Sequence, residues 1–122
     1  MSTIYFKKNL PNAIRPTKGS EYSACMDLYA ANIVIDHATK SIIIDTGLST
    51  ALPPGTALLV YGRSGLGAKH GLRPANGVGV IDADYRGPIK VILKYDNGPL
   101  IDIAYDQIIK VGDRIAQCML VD

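Results

Sequence analysis

The chain has no tryptophan, a single phenylalanine and a single glutamate, Glu21. A core without large aromatics must be built from Ile, Val, Leu and Ala, with the tyrosines at its margins. The two cysteines, Cys25 and Cys118, are isolated, and neither they nor His37 and His70 fall at zinc-ligand spacing. They read as buried free thiols of a reducing compartment. Strong charge of one sign is also missing. The formal net charge is +2, with no basic run or aromatic platform, so a DNA-binding surface is not expected. No apolar run approaches the ~20 residues of a membrane span. Residues Met1 to Lys8 lack the charged-then-apolar order of a secretion signal.

With 122 residues, 48% of them apolar, the chain is long enough for one domain, read as 1–122, with one core. Short apolar runs between turn residues mark an all-β chain. Strands are expected at Ile4–Lys8, Met26–Ala30, Ile33–Ile35, Ser41–Asp45, Thr56–Tyr61 and Ile115–Val121. Asn9 to Ser20 reads as loop, and Pro53-Pro54-Gly55 and Asp96-Asn97-Gly98 as turns. The only helix expected is a turn or two within Ser64–His70. Val78–Ile81 and Pro88–Tyr95 are expected to pair with each other as a hairpin around Asp82–Gly87. In the second of these, Ile89, Val91, Leu93 and Tyr95 form one wholly apolar face. A sandwich or jelly-roll-like domain follows.

Two segments carry chemistry. Gly79-Val80-Ile81-Asp82-Ala83-Asp84-Tyr85-Arg86-Gly87 gathers two carboxylates, a ring and a guanidinium between glycines. A carboxylate can orient or deprotonate a water, and a ring can stack on a sugar or base. Gly62-Arg63-Ser64-Gly65-Leu66-Gly67 follows an apolar run and offers a planar cation, a hydroxyl and backbone N–H groups, which together suit phosphate oxygens. Alone, either segment also fits a bland role: a capped turn, or a surface ion pair.

Four segments in order resemble the motifs of the trimeric dUTPase (deoxyuridine triphosphatase) family. Ala24-Cys25-Met26-Asp27-Leu28 is similar to its Ala-Gly-x-Asp-Leu. Gly62-Arg63-Ser64-Gly65-Leu66 is similar to its Pro-Arg-Ser-Gly/Ser-Leu. Gly79 to Gly87, preceded by Asn76, is similar to the third motif. Gly112-Asp113-Arg114-Ile115-Ala116-Gln117 is similar to the fourth. Cys25 replaces the usual glycine and Gly62 the usual proline. The glycine-rich fifth motif and the strand before it are not in this sequence, which ends at Asp122.

The resemblance implies a distorted jelly roll of the β-clip type, assembled as a homotrimer. It implies hydrolysis of dUTP to dUMP and pyrophosphate by water attack on the α-phosphate, which limits uracil incorporation into DNA and supplies dUMP. Asp82 takes the place of the catalytic carboxylate that orients the water and accepts its proton; Asp84 reads as structural. Arg63, Ser64 and Gly65 are the implied phosphate contacts. Gln117 is the implied partner of the α-phosphate or the water, and Lys90 a further substrate contact. The backbone from Asn76 through Gly79, Val80 and Ile81 would read uracil, leaving buried groups unpaired against cytosine and crowding the thymine methyl. Tyr85 would stack on the deoxyribose and exclude a 2′-hydroxyl. Mg2+ is the implied cofactor, held by the phosphates, with Asp27 reaching it through water or else bonded structurally to backbone or an arginine. Motif three would come from a different subunit than motifs one, two and four. Lack of the fifth motif implies weaker triphosphate binding, a wetter site and slower chemistry.

Two other readings fit parts of the sequence. A dCTP deaminase shares the fold but needs a catalytic glutamate, and Glu21 is distant in sequence from the third motif. A non-catalytic dUTP-binding homologue would keep the pocket without the chemistry. The expected location is cytoplasmic, or the host cytoplasm for a viral protein, with neither nucleic acid nor membrane as partner.

Overall fold

The computed structural model describes residues 3–100 and 104–122. The strands are β1 (Tyr5–Lys8), β2 (Thr17–Lys18), β3 (Met26–Tyr29), β4 (Asn32–Asp36), β5 (Ser41–Asp45), β6 (Leu48–Ala51), β7 (Ala57–Tyr61), β8 (Leu72–Pro74), β9 (Gly79–Asp82), β10 (Lys90–Tyr95) and β11 (Arg114–Val121). A π-helical turn, Gly65–Lys69, lies inside the segment expected to be helical. The short helix α1, Tyr105–Ile108, was not expected. Among the described residues no helix is long and apolar enough to cross a membrane.

Two antiparallel sheets enclose the core. One has the order β2-β3-β11-β7-β9 and the other β4-β5-β10-β8; β1 and β6 form a separate ribbon. The alternation read in the sequence decides which faces meet. Leu58 and Val60 of β7, with Ala116 and Cys118 of β11, point inward from the first sheet. Ile42 and Ile44 of β5, with Val91 and Leu93 of β10, point inward from the second. All belong to one buried cluster, whose burial is the main stabilising contribution at ~25 cal/mol per Å² of apolar surface.

The expected hairpin does not form. β9 pairs with β7, in the register Ala57↔Asp82 to Val60↔Gly79. β10 pairs with β5 on one side and β8 on the other. The chain crosses from one sheet to the other between Asp82 and Lys90 instead of folding back on itself. Two features oppose hairpin closure. The connection is longer than a tight two-residue turn, and Pro88 has no N–H to give a ladder. The strands therefore diverge, each taking the apolar neighbour that covers its inward face.

Three short strands fall where loops were expected or no element was assigned. β6 carries Ser49 and Thr50, both buried, so a strand with polar interior positions resembled a loop in sequence. β2, inside the segment read as loop, and β8 are too short to show a period.

The structure bears on both substituted motif positions. Gly62 has no room for a side chain, because a Cβ there would lie 2.8 Å from Cδ of Pro74. Pro74, at the end of β8 in the other sheet, already fills that space. Lys40 is the only non-glycine residue at positive φ among the described residues, so Cys25 needs no glycine-only backbone.

The two thiols differ. Cys118 is fully buried, whereas Cys25 is only half-buried, which corrects the expectation of two buried thiols. Burial pushes the Cys118 thiol up to about 12, with the nearby Cys25 and Asp27 adding to the shift. The thiolate is the reactive form, so native protein should take up about one iodoacetamide per chain, at Cys25, and about two only after denaturation. Mass spectrometry of the alkylated chain checks this; modification of Cys118 in the native state would contradict the packing.

Candidate active site

A cleft of about 530 Å³ opens where β9 and β10 separate. Its walls include Asn76, Gly79, Val80, Ile81, Asp82, Tyr85 and Lys90. Seven of the residues singled out in the sequence are therefore brought together. β9 is the edge strand of its sheet. One side of its backbone is paired with β7, and the alternate N–H and C=O groups point outward along the cleft wall. Asn76 sits beside Gly79, and the loop behind it is fastened to β10 by the Ala75 N–H bonding to the Ile92 carbonyl at 2.8 Å.

Asp82 ends β9 and lines the cleft, with its side chain exposed. Among the described residues no hydrogen bond or ion pair engages its carboxylate, which leaves the oxygens free for a water. The Asp82 carbonyl accepts from the Tyr85 N–H at 3.1 Å, closing the turn that brings the ring back over the cleft. Asp84 lies on the same turn but does not line the cleft. The two carboxylates, alike in sequence, are thus separated by position.

The remaining singled-out residues form a second cluster on the same sheet. Asp27, Gln117 and Tyr61 stand in one cross-strand row on β3, β11 and β7. The Gln117 side-chain N–H donates to the Gly62 carbonyl at 3.0 Å, and among the described residues its amide oxygen has no partner. Asp27 lies between two guanidinium groups, with its carboxylate 3.9 Å from Arg63 Nε and 3.6 Å from Arg114 Nη1. Arg63 also donates to the Arg114 carbonyl at 3.2 Å. The sequence alone assigns Arg114 no role, although it stands in the fourth motif beside Ile-Ala-Gln. Ser64 and Gly65 are exposed where the π-helical turn begins, and among the described residues the Ser64 hydroxyl makes no capping hydrogen bond.

The two clusters do not meet within one chain. Asp82 lies opposite Ala57 and Gln117 opposite Tyr61, on the two sides of β7. That is roughly 13 Å along the strand and roughly 10 Å across it. The two side chains cannot touch a common water.

The described residues contain no group of three or more His, Cys, Asp or Glu side chains able to hold a metal ion. The Asp27 carboxylate, flanked by two cations, is placed for the structural pairing with arginine and poorly placed to hold a metal ion directly. Glu21, the residue a deaminase reading would need, is exposed on a loop and does not line the cleft; its carbonyl accepts from Lys18 Nζ.

Comparison with known proteins bears on the family and the fold. A family model described as dUTPase matches residues 11–122. The chain is 44% identical over 119 residues to a probable deoxyuridine 5'-triphosphate nucleotidohydrolase of Schizosaccharomyces pombe, covering 97% of this chain and 79% of that protein. It is 45% identical over 114 residues to the corresponding protein of Oryza sativa subsp. japonica, covering 93% of this chain and 62% of that one. Among solved structures, the Staphylococcus bacteriophage 80alpha dUTPase shares the fold with a TM-score of 0.75 at 22% identity, over 98% of this chain and 89% of that one. A mutant of that dUTPase was solved with dUpNHpp, TM-score 0.75 at 21% identity, over 98% and 89% of the two chains. A mutant dUTPase of phage phi11 coordinates a structural Mg(II) ion, TM-score 0.76 at 22% identity, over 98% and 90%. Four motifs in order, a cleft built on the third of them and a family match over nearly the whole length point the same way: the chain belongs to the dUTPase family.

Proposed function

We propose that the protein hydrolyses dUTP to dUMP and pyrophosphate at sites shared between subunits of a homotrimer. The observation that carries this reading is the free edge of β9, which lines the cleft between Asn76 and Asp82. Uracil presents a donor at N3 between two acceptors, and an extended edge offers alternating C=O and N–H groups to meet them. Cytosine reverses the sense at two positions and would leave buried groups unpaired, a cost of about 1–3 kcal/mol each. The 5-methyl of thymine would crowd the same backbone. Tyr85 stands at the cleft wall to stack on the deoxyribose, and Lys90 adds a cation at the rim.

The Asp82 carboxylate orients the water and accepts its proton as the α-phosphorus is attacked. A carboxylate is a weak base, so alignment of the water is its main contribution. Arg63, Ser64 and the Gly65 N–H hold phosphate oxygens, and Gln117 bonds the α-phosphate or the water. Magnesium would arrive on the triphosphate and offset its charge, with Asp27 reaching it at most through water. The distance between Asp82 and Gln117 of one chain, too great to share a water, supports a second cluster supplied by a neighbouring subunit. The outer face of the β11-β7-β9 sheet suits such packing. Met119, Leu59 and Val80 form an apolar row there, and Val80 is 62% exposed. We place the protein in the cytoplasm, or host cytoplasm, where its nucleotide would be found.

Incubation with dUTP and, separately, dCTP tests the assignment. Pyrophosphate from dUTP, with no ammonia from dCTP, is expected. Ammonia release would favour a deaminase, and tight dUTP binding without pyrophosphate a binding module. Light scattering should report about three times the chain mass.

A further inference from the structure

We infer that Gly87 is a positioning residue for the Tyr85 ring and, through it, for sugar selection; the second part rests on the dUTP reading above. The ring bends back over its own turn. Its hydroxyl donates to the Pro88 carbonyl at 2.9 Å. A Cβ built on Gly87 would lie 2.5 Å from the Tyr85 oxygen, 2.7 Å from Cζ and 2.9 Å from Cε1. Non-bonded carbon atoms do not approach so closely, so the ring occupies the space of the missing side chain. Gly87 is not among the glycines at positive φ. The backbone there is not left-handed, so the demand for glycine comes from the space the ring occupies.

The ring is thus fixed twice, by a hydrogen bond at its tip and by the bare Cα of Gly87 beneath it. Tyr85 remains 43% exposed and lines the cleft, so one side of the ring is seated and the other is offered to a ligand. A ring seated before the nucleotide arrives loses little rotamer freedom on binding and forms a firm wall where a 2′-hydroxyl would go. A methyl group at position 87 displaces that wall. The atoms it would meet are the far end of a side chain, not backbone, so the ring swings away and the fold survives.

The test compares specificity constants for dUTP and UTP in wild type, Gly87→Ala, Tyr85→Ala and the double variant. Gly87→Ala should lower the dUTP/UTP ratio about ten-fold, mainly through KM for dUTP, with the melting temperature nearly unchanged. Added to Tyr85→Ala it should do nothing further, because it acts through the ring. An unchanged ratio in Gly87→Ala, or an equal loss with and without the ring, overturns the positioning role. A second measurement needs no turnover. In ligand-free protein the Gly87 α-protons should show an NMR ring-current shift that disappears in Tyr85→Ala. Absence of that shift overturns the seating itself. A wild type with no dUTP turnover would overturn the functional reading and the sugar role with it, while a shifted Gly87 signal would still support the seated ring.

Discussion

Replacing Asp82 by asparagine should lower dUTP turnover by about two orders of magnitude or more, while dUTP binding changes by no more than a few-fold. Asparagine keeps the size and a hydrogen-bonding oxygen but loses the charge that accepts a proton from the attacking water. The carboxylate is exposed at the cleft wall, and among the described residues nothing in the chain engages it, so the change should leave the fold intact. Asp84→Asn should do much less, because Asp84 lies outside the cleft on the same turn. Single-turnover rates and equilibrium binding of dUTP for both variants decide the matter. If Asp84→Asn proved the more damaging, the water would have to sit on the other side of the turn, and the assignment within the motif would be wrong.

Two inactive variants should restore activity to each other. Arg63→Ala removes a phosphate contact from the second cluster, and Asp82→Asn removes the carboxylate from the first. If each site takes Asp82 from one subunit and Arg63 from the next, every mixed trimer holds one complete site. Random reassembly of equal amounts makes about three quarters of the trimers mixed, so about one quarter of wild-type activity should return. The physical basis is the separation of the clusters along and across β7, fixed by the Ala57↔Asp82 and Gln117↔Tyr61 registers. Mixing after denaturation and refolding, followed by a pyrophosphate assay, gives the measurement. Activity no higher than the sum of the two variants would mean that subunits do not share sites, and the assignment of the second cluster to a neighbouring subunit would be wrong.

Much of this was open to reading in the residues alone. The alternation of Ile89, Val91, Leu93 and Tyr95 against Lys90, Ile92 and Lys94 identified the inward face of β10; the first three are buried and Tyr95 is half-buried. The Arg-Ser-Gly turn and the short helical turn after it needed only local chemistry. The four motifs singled out residues that the fold gathers into the cleft and the cross-strand cluster, because a motif is residue types at fixed spacings and spacing is a property of sequence. Short strands escaped because a period cannot be read from two or three residues, and β6 because it buries serine and threonine. What the sequence could not decide was partnership. β9 and β10 flank one turn and each looks like half of a hairpin, yet long-range pairing with β7, and with β5 and β8, draws them into different sheets. Local propensity sees only neighbours along the chain, whereas strand pairing is settled by which apolar faces can be covered together. The cleft exists because of that choice: it is the gap left between two strands that adjacency alone would have joined.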